Sequence, residues 1–420
     1  VDVRAARDAA GGPAGRPWLT RNVKVLSGVS LAQDAASELM YPLLPILLTS
    51  VLGAPAAVVG IVEGVAEGVA AALKYISGRV SDRVGRRPAI LTGYGLAALG
   101  KVMVAAAMTW PMVLGGRVVD RFGKGIRGAP RDALLAEGVP ASALGKAFGF
   151  HRAADTVGAV VGPLVGLAIL TATGGNIGAA LWIAVIPAVL SVGLILLVRE
   201  PPRRGTARHG APEVPAADRR TAALPGRVRV LAAVLGVFAL VNFPDALLLL
   251  RLTEVGFTAA ELMAAYALFN LANAAIAYPA GALSDRWPRS RVYAVGLACF
   301  AVGYLGLGLT DQPLAMVLLL LVYGGFAGIT EGVGRAWISA LTPRQVRGHA
   351  QGLYQGLAGV GILVAGLWAG LLWEVGPGGG IVPLVISGCV AALAALGLAA
   401  FGGRLEPRSG SGGSPGRLSA

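Results

Sequence analysis

Charged residues are scarce in this 420-residue chain, at 14% of the composition, where an ordinary soluble domain carries about 25%. With 55% hydrophobic residues beside them, too little polar surface is left to cover a water-soluble fold. Cysteine is nearly absent: Cys299 and Cys389 both fall in apolar stretches and read as small hydrophobes, not as a disulfide or redox pair. Histidine occurs only at His151, His209 and His349, too scattered for a recognisable metal constellation, so no metal and no cofactor are expected. Aromatic residues make up 6%, which gives little support to an aromatic cage for cations. No nucleophile stands beside a base in a recognisable motif, and an enzyme is not expected. The opening stretch "VDVRAARDAAGGPAGRPWLT" lacks the apolar core and cleavage site of a secretory signal.

Long apolar runs are what the chain has in abundance, with a mean hydropathy of +0.69. Crossing a ~30 Å hydrocarbon core takes about 20 helical residues. Twelve runs meet that length, at 23–48, 55–77, 88–110, 111–135, 147–170, 176–198, 228–250, 257–280, 289–310, 313–341, 348–373 and 379–402. The expectation is an all-α membrane protein with twelve transmembrane helices. A net charge of +14 could suggest nucleic acid, but its distribution argues for a bilayer instead. Arg79, Arg83, Arg86 and Arg87 follow span 2, Arg286, Arg289 and Arg291 follow span 8, and Arg344 and Arg347 follow span 10. The alternate loops "SVLGAP", "TWPM", "TATGGN", "TDQP" and "EVGPGGG" contain no Lys or Arg, and only Arg251 after span 7 breaks the pattern. By the positive-inside rule both termini are cytoplasmic, in an inner membrane.

Between Arg199 and Arg227 the chain is rich in Pro, Ala and Arg, with no apolar period, which reads as a linker at 199–227. It separates bundles at 23–198 and 228–402, flanked by a tail at 1–22 and another at 403–420. Ser81-Asp82-Arg83 returns at Ser284-Asp285-Arg286, and Gly145-x-Ala147-x-Gly149 returns at Gly348-x-Ala350-x-Gly352, both 203 residues on. Two like-oriented six-helix halves then face each other across an axis along the membrane normal. Spans 6, 9 and 12 have no ionisable residue in their central stretches, and span 3 has only Lys101. These four are expected at the periphery, because a charge at the bilayer centre costs about 2.5–3.5 kcal/mol or more.

Gly78-Arg79-Val80-Ser81-Asp82-Arg83-Val84-Gly85-Arg86-Arg87 resembles the signature between helices 2 and 3 of the major facilitator superfamily, and the likeness extends over essentially the whole chain. A degraded copy carries Asp285 and Arg286, with Pro288 in place of the later glycine. In span 5, Gly158-x-x-x-Gly162-Pro163-x-x-Gly166 is similar to that family's antiporter-associated motif, although Leu167 replaces its last glycine. Arg121-x-x-Lys124-Gly125 is a loose form of its helix 4 motif. The resemblance implies two pseudo-twofold-related six-helix bundles, alternating access, proton-coupled efflux, and a conformational latch at Gly78, Asp82, Arg83, Gly85, Arg86 and Arg87. Physically, a glycine closing helix 2 permits a sharp turn, and Asp82 is placed to accept backbone N–H groups at a helix start. A purely topological role for the basic loop is the alternative. The span 5 glycines place a groove along one face for close packing, or serve coupling, and Pro163 bends that helix.

Asp34 and Glu38 lie about 40° apart on span 1, and Glu63, Glu67 and Lys74 share a similar sector of span 2. Pro42 and Pro45 should kink span 1 just beyond Glu38. On span 4, Arg117, Arg121, Lys124, Arg127 and Arg131 fall within roughly 120°, and Asp120 and Asp155 add acid nearby. A buried network between spans 1, 2 and 4 is the expectation. It either stays ionised and fixes helix register, or contains a carboxylate that takes up a proton and releases Arg121 or Lys124; Glu38, Asp34 and Glu67 are the candidates. His151 and Arg152 near the start of span 5 suit snorkelling or topology equally. The second half offers Asn242, Asp245, Asn270, Asn273, Glu331, Arg335, Gln351, Tyr354 and Gln355, mostly neutral groups suited to substrate selection in a central cavity.

Gly95 to Lys101 has the spacing of a phosphate-binding loop, but Val102 stands where Ser or Thr is needed and no strand precedes it. The reading is a monomeric secondary transporter in a lipid bilayer, moving a small-molecule substrate, drug-like and exported, against protons. Exchange or uptake of an anionic metabolite, using the span 4 stripe, and a non-transporting sensor or scaffold are the alternatives; nucleic acid is not expected as a partner.

Overall fold

The computed structural model describes residues 18–140, 143–200, 224–343 and 346–406, without the side chains of 74–84, 145, 347 and 348. Among the described residues every regular element is helical: α1 Arg21–Met40, α2 Ala56–Val84, α3 Arg86–Ala105, α4 Trp110–Ala136, α5 Leu144–Ala172, α6 Ile177–Ile195, α7 Gly226–Phe238, α8 Asp245–Glu254, α9 Ala259–Ser284, α10 Arg289–Leu309, α11 Pro313–Leu341, α12 Arg347–Leu371 and α13 Ile381–Phe401. Nine of these are long and apolar enough to cross a membrane by themselves, and the chain is a multi-pass membrane protein. The three remaining spans are α1, which carries Lys24, Asp34 and Glu38, the charge-rich α4, and the seventh, which is split.

The two interruptions have identifiable causes. After α1 the chain continues through a tight turn at Tyr41–Leu43, a helical turn at Leu44–Ile46 and a π turn at Leu47–Val51, because Pro42 and Pro45 each lack an N–H donor. The expectation of one continuous helix over 228–250 is corrected. α7 ends at Phe238, α8 begins at Asp245, and Pro244 stands as the cap between them in extended geometry. The opened backbone is partly satisfied from outside: Trp368 Nε1 donates to the Leu240 carbonyl at 2.7 Å and Tyr304 Oη to the Phe243 carbonyl at 3.3 Å. Irregular backbone at membrane depth survives only where protein or a cavity covers it.

Helix pairings repeat between halves. α1 packs on α5, α2 on α4, and α3 on both α4 and α6; in the same order α7 packs on α12, α9 on α11, and α10 on both α11 and α13. Across the halves α2 meets α12 and α5 meets α9. A twofold that exchanges spans 2 and 8 also exchanges spans 11 and 5, so these two contacts are one contact seen twice. The outer faces of α6 and α13 are apolar and exposed, through Trp182, Ile186 and Val189 and through Leu393 and Leu396. Cys389 is exposed on α13 and not buried, whereas Cys299 is half-buried.

The halves close against each other at the face away from the termini. A Cβ on Gly366 would stand 2.7 Å from the Gly60 carbonyl oxygen, and one on Gly370 would stand 2.9 Å from that of Ala57. Backbones approach so closely only through glycine. Gly166 faces Met263 of α9 at the same level. Nearer the face that carries the termini, Phe148 and Phe150 of α5 and Leu271 and Tyr278 of α9 are exposed.

Candidate functional site

The sequence places acids on α2 and bases on α4, and the fold brings them together in a largely buried cluster. Arg117 donates through Nε and Nη2 to the two oxygens of Glu63, both at 2.6 Å. Lys101 Nζ donates to Asp120 Oδ1 at 2.9 Å. Arg121 Nε lies 3.0 Å from Glu67 Oε1, and its Nη1 lies 3.7 Å from Asp120 Oδ2. Arg117 Nη1 stands 3.5 Å from the same Asp120 oxygen. Three carboxylates thus balance three cations. Five of the six side chains are at most 9% exposed, and only Glu67 reaches open space, at 31%. Buried charges survive at such depth when each is paired and the geometry is bidentate or close to it.

This arrangement corrects the expected network in two ways. Lys101 joins from span 3, because its side chain turns inward onto α4, although the other charges of α3, Arg86 and Arg87, stand at its start. The second correction is that Asp34, Glu38, Lys124, Arg127 and Asp155 stand outside the cluster. Arg127 lies over the Tyr94 ring at 4.1 Å. Asp155 Oδ1 is 3.8 Å from His151 Nε2, and His151 Nδ1 is 3.5 Å from Ser27 Oγ. Arg131 holds Asp132 and donates to Ser30 Oγ. Asp34 and Lys124 make no ion pair among the described residues.

Glu38 has a different partner altogether. Tyr266 Oη, on α9 of the other half, donates to Glu38 Oε2 at 2.6 Å. One turn on, Tyr41 Oη accepts from the backbone N–H of Ala246 at 3.0 Å, also across the halves. The Tyr41 ring packs on Tyr266 at 5.7 Å and lies under the Arg117 guanidinium at 5.7 Å. A continuous path therefore runs from Glu63 through Arg117, Tyr41 and Tyr266 to Glu38. Residue types alone did not reveal the tyrosines; the one available signal was Tyr41, three residues after Glu38 and on the same helix face.

A central cavity of about 390 Å³ opens beside this path. Asn242, Asp245, Glu331, Arg335, Tyr354 and Gln355 line it, and Tyr41 and Glu67 enter from the first half. Asn270, Asn273 and Gln351 do not. Asn270 Nδ2 donates to the Ala159 carbonyl at 3.1 Å across the halves, Asn273 lies under Gly328 of α11, and Gln351 Nε2 is used by the Arg335 carbonyl and Ser339 Oγ. Asp245 opens α8 at the broken helix and accepts from Tyr323 Oη at 2.5 Å. Glu331 is bonded to Arg335 at 2.6 Å and to Arg152 of the first half at 3.4 Å. Aromatic rings are few in the chain but concentrated here: Tyr41, Phe238, Phe243, Tyr323, Phe326 and Tyr354 all line the cavity.

In the latch region, α2 runs through Gly78 to Val84, and the turn is made at Gly85, whose φ of 108° suits glycine. The side chains of Asp82 and Arg83, and Lys74 above them, lie outside the described residues. The start of α3 takes its carboxylate from Glu200, whose two oxygens accept from the N–H groups of Arg86 and Arg87 at 3.0 and 3.1 Å; Arg86 Nη1 also pairs with Glu137 at 3.2 Å. In the second half Glu406 accepts from the Ser290 N–H at 2.7 Å at the start of α10, while Asp285 and Arg286 are exposed. Gly158 and Gly162 of α5 abut the α1 backbone at Leu31 and Ala35, with Pro163 inside the helix. Arg251, the exception to the charge pattern, is buried and pairs with Asp311 while donating to the Leu307 carbonyl.

Comparison with known proteins places this geometry among relatives. The family model for the Major Facilitator Superfamily matches residues 26–250 and again 231–418. An uncharacterized MFS-type transporter of Methanocaldococcus jannaschii is 30% identical, over 86% of this chain and 90% of its own. Multidrug resistance protein MdtH of Proteus mirabilis is 25% identical, over 78% of this chain and 80% of its own. Among solved structures, a bacterial homolog of the human lysosomal transporter Spinster, inward-facing and unoccupied, superposes with a TM-score of 0.74 at 17% identity, covering 96% of this chain and 100% of that one.

Proposed function

Because this chain belongs to the major facilitator superfamily, we propose that it is a secondary transporter working by alternating access, which exports a small organic molecule in exchange for protons. The observation that carries this reading is the Glu38–Tyr266 bond. Glu38 is the α1 carboxylate that joins the two halves, and among the described residues it has no cationic partner. An intramembrane acid so placed is costly to keep charged, and it is a functional site by default. On protonation the carboxylate loses the charge that makes the bond from Tyr266 strong, and α1 and α9 are freed to part. The six-charge cluster has the opposite character. Every member is paired, so it holds α2, α3 and α4 in register while the halves move.

A resistance-named relative supports export over uptake. The lining supports it against anion exchange, since Glu67, Asp245 and Glu331 outnumber Arg335 and Arg117 and Arg121 of span 4 are occupied by acids. The face bearing the termini is cytoplasmic on this reading, and the open cavity is its inward-facing state.

The test is proteoliposome transport with and without an imposed pH gradient. Glu38→Gln is expected to abolish gradient-driven accumulation while leaving substrate counterflow, which needs no proton step, within about twofold of the parent. Gradient-driven accumulation that survives in Glu38→Gln overturns the assignment.

A further inference from the structure

Beside the central cavity lies a second space of about 300 Å³, bounded by α7, α10 and α13. Its own walls are apolar, from Val234, Leu297, Ala394, Leu398 and Phe401, with Gly397 at one side. Val234 and Phe401 are 41% and 61% exposed. Leu235, Phe238 and Tyr293 line both spaces, so a single layer of side chains divides them. A ligand long enough to occupy both would displace Phe238 or Tyr293 from that layer.

The two compartments differ in chemistry. The central one presents Asp245, which has no cationic partner among the described residues, to a space walled by aromatic faces that attract a cation. The side compartment offers no charge and no hydrogen-bonding side chain of its own. The geometry points to an amphiphilic organic cation as the substrate, its charged head at Asp245 in the central cavity and its alkyl or aryl tail in the α7–α10–α13 pocket. This rests on the transport reading above and specifies what that site takes.

Binding of an n-alkyltrimethylammonium series to the full chain in nanodiscs, corrected for partition into empty discs, tests it without any proton gradient. Affinity should rise with chain length, up to about fourfold for each methylene buried in the side pocket. Gly397 lines the pocket and a Cβ there meets no atom within 4 Å, so Gly397→Leu is the variant chosen to fill it. In that variant the octyl compound should lose about 30-fold in affinity or more while tetramethylammonium holds its value, and Ala394→Leu should act alike. Asp245→Asn should weaken every member by a common factor. The proposal is overturned if chain-length dependence persists in both filled variants, or if octyl sulfate binds as tightly as the octyl cation, which would mark a site for lipid chains. Because these are equilibrium measurements, a failure of Glu38-dependent flux leaves them readable and bears on the transport reading alone.

Discussion

Lys101 and Asp120 show how much rests on single buried charges. Lys101 is 2% exposed and its ammonium touches Asp120 at 2.9 Å. Lys101→Met strands a carboxylate that keeps only the longer contacts to Arg117 and Arg121. Loss of one member of a buried pair costs about 3–5 kcal/mol, and the lower end applies because two guanidiniums remain. Thermal unfolding in detergent should show a clear drop for Lys101→Met. Lys101→Met with Asp120→Leu should regain most of the loss, since Glu63 and Glu67 then still balance Arg117 and Arg121. A double variant no more stable than the single one would show that the pair is not the source of the effect. The acids and bases of this cluster were legible as residue types at helical spacing, but Lys101 was not assigned to it. A lone lysine in an apolar helix carries no sign of the direction in which its side chain turns.

At the scale of the element, both halves close the start of their third helix with a glutamate from beyond the sixth: Glu200 on α3 and Glu406 on α10. A carboxylate on free N–H groups at a helix N-terminus contributes about 0.5–2 kcal/mol. Glu200→Ala should therefore lower stability by about 1 kcal/mol and speed hydrogen exchange at the Arg86 and Arg87 amides severalfold, with amides in the middle of α3 unchanged. Uniform exchange along α3 in parent and variant would refute the cap. The sequence suggested Asp82 for this role by proximity. Glu200 is more than a hundred residues away from Arg86, and only the folded arrangement of α3 against α6 carries it there. Elements themselves were read well where hydropathy was unbroken. The seventh span was not, because Asn242 and Pro244 add little polarity to an apolar window while Pro244 lacks the N–H that a continuous helix needs.

For the whole molecule, the closed face depends on glycines that let α2 and α12 touch backbone to backbone. Gly366→Val places a side chain where the Gly60 carbonyl now stands, so it penalises this state and favours the one opened on the opposite side. With Cys299 and Cys389 replaced by alanine and Leu363→Cys as reporter, labelling by a membrane-impermeant thiol reagent from the side away from the termini should rise at least severalfold in Gly366→Val. Unchanged labelling would mean that these glycines do not gate that face.

Hydropathy, charge asymmetry and a recurring motif determined by themselves that this is a multi-pass helical protein with two related halves, since burial in lipid constrains composition over every span. They also marked which helices carry charge. Tertiary structure alone decided which charges pair, that Glu38 answers to a tyrosine of the other half, and that sparse aromatic rings gather around one cavity. The reason is that those contacts join residues far apart in the chain, through side-chain directions that neither composition nor helical periodicity records.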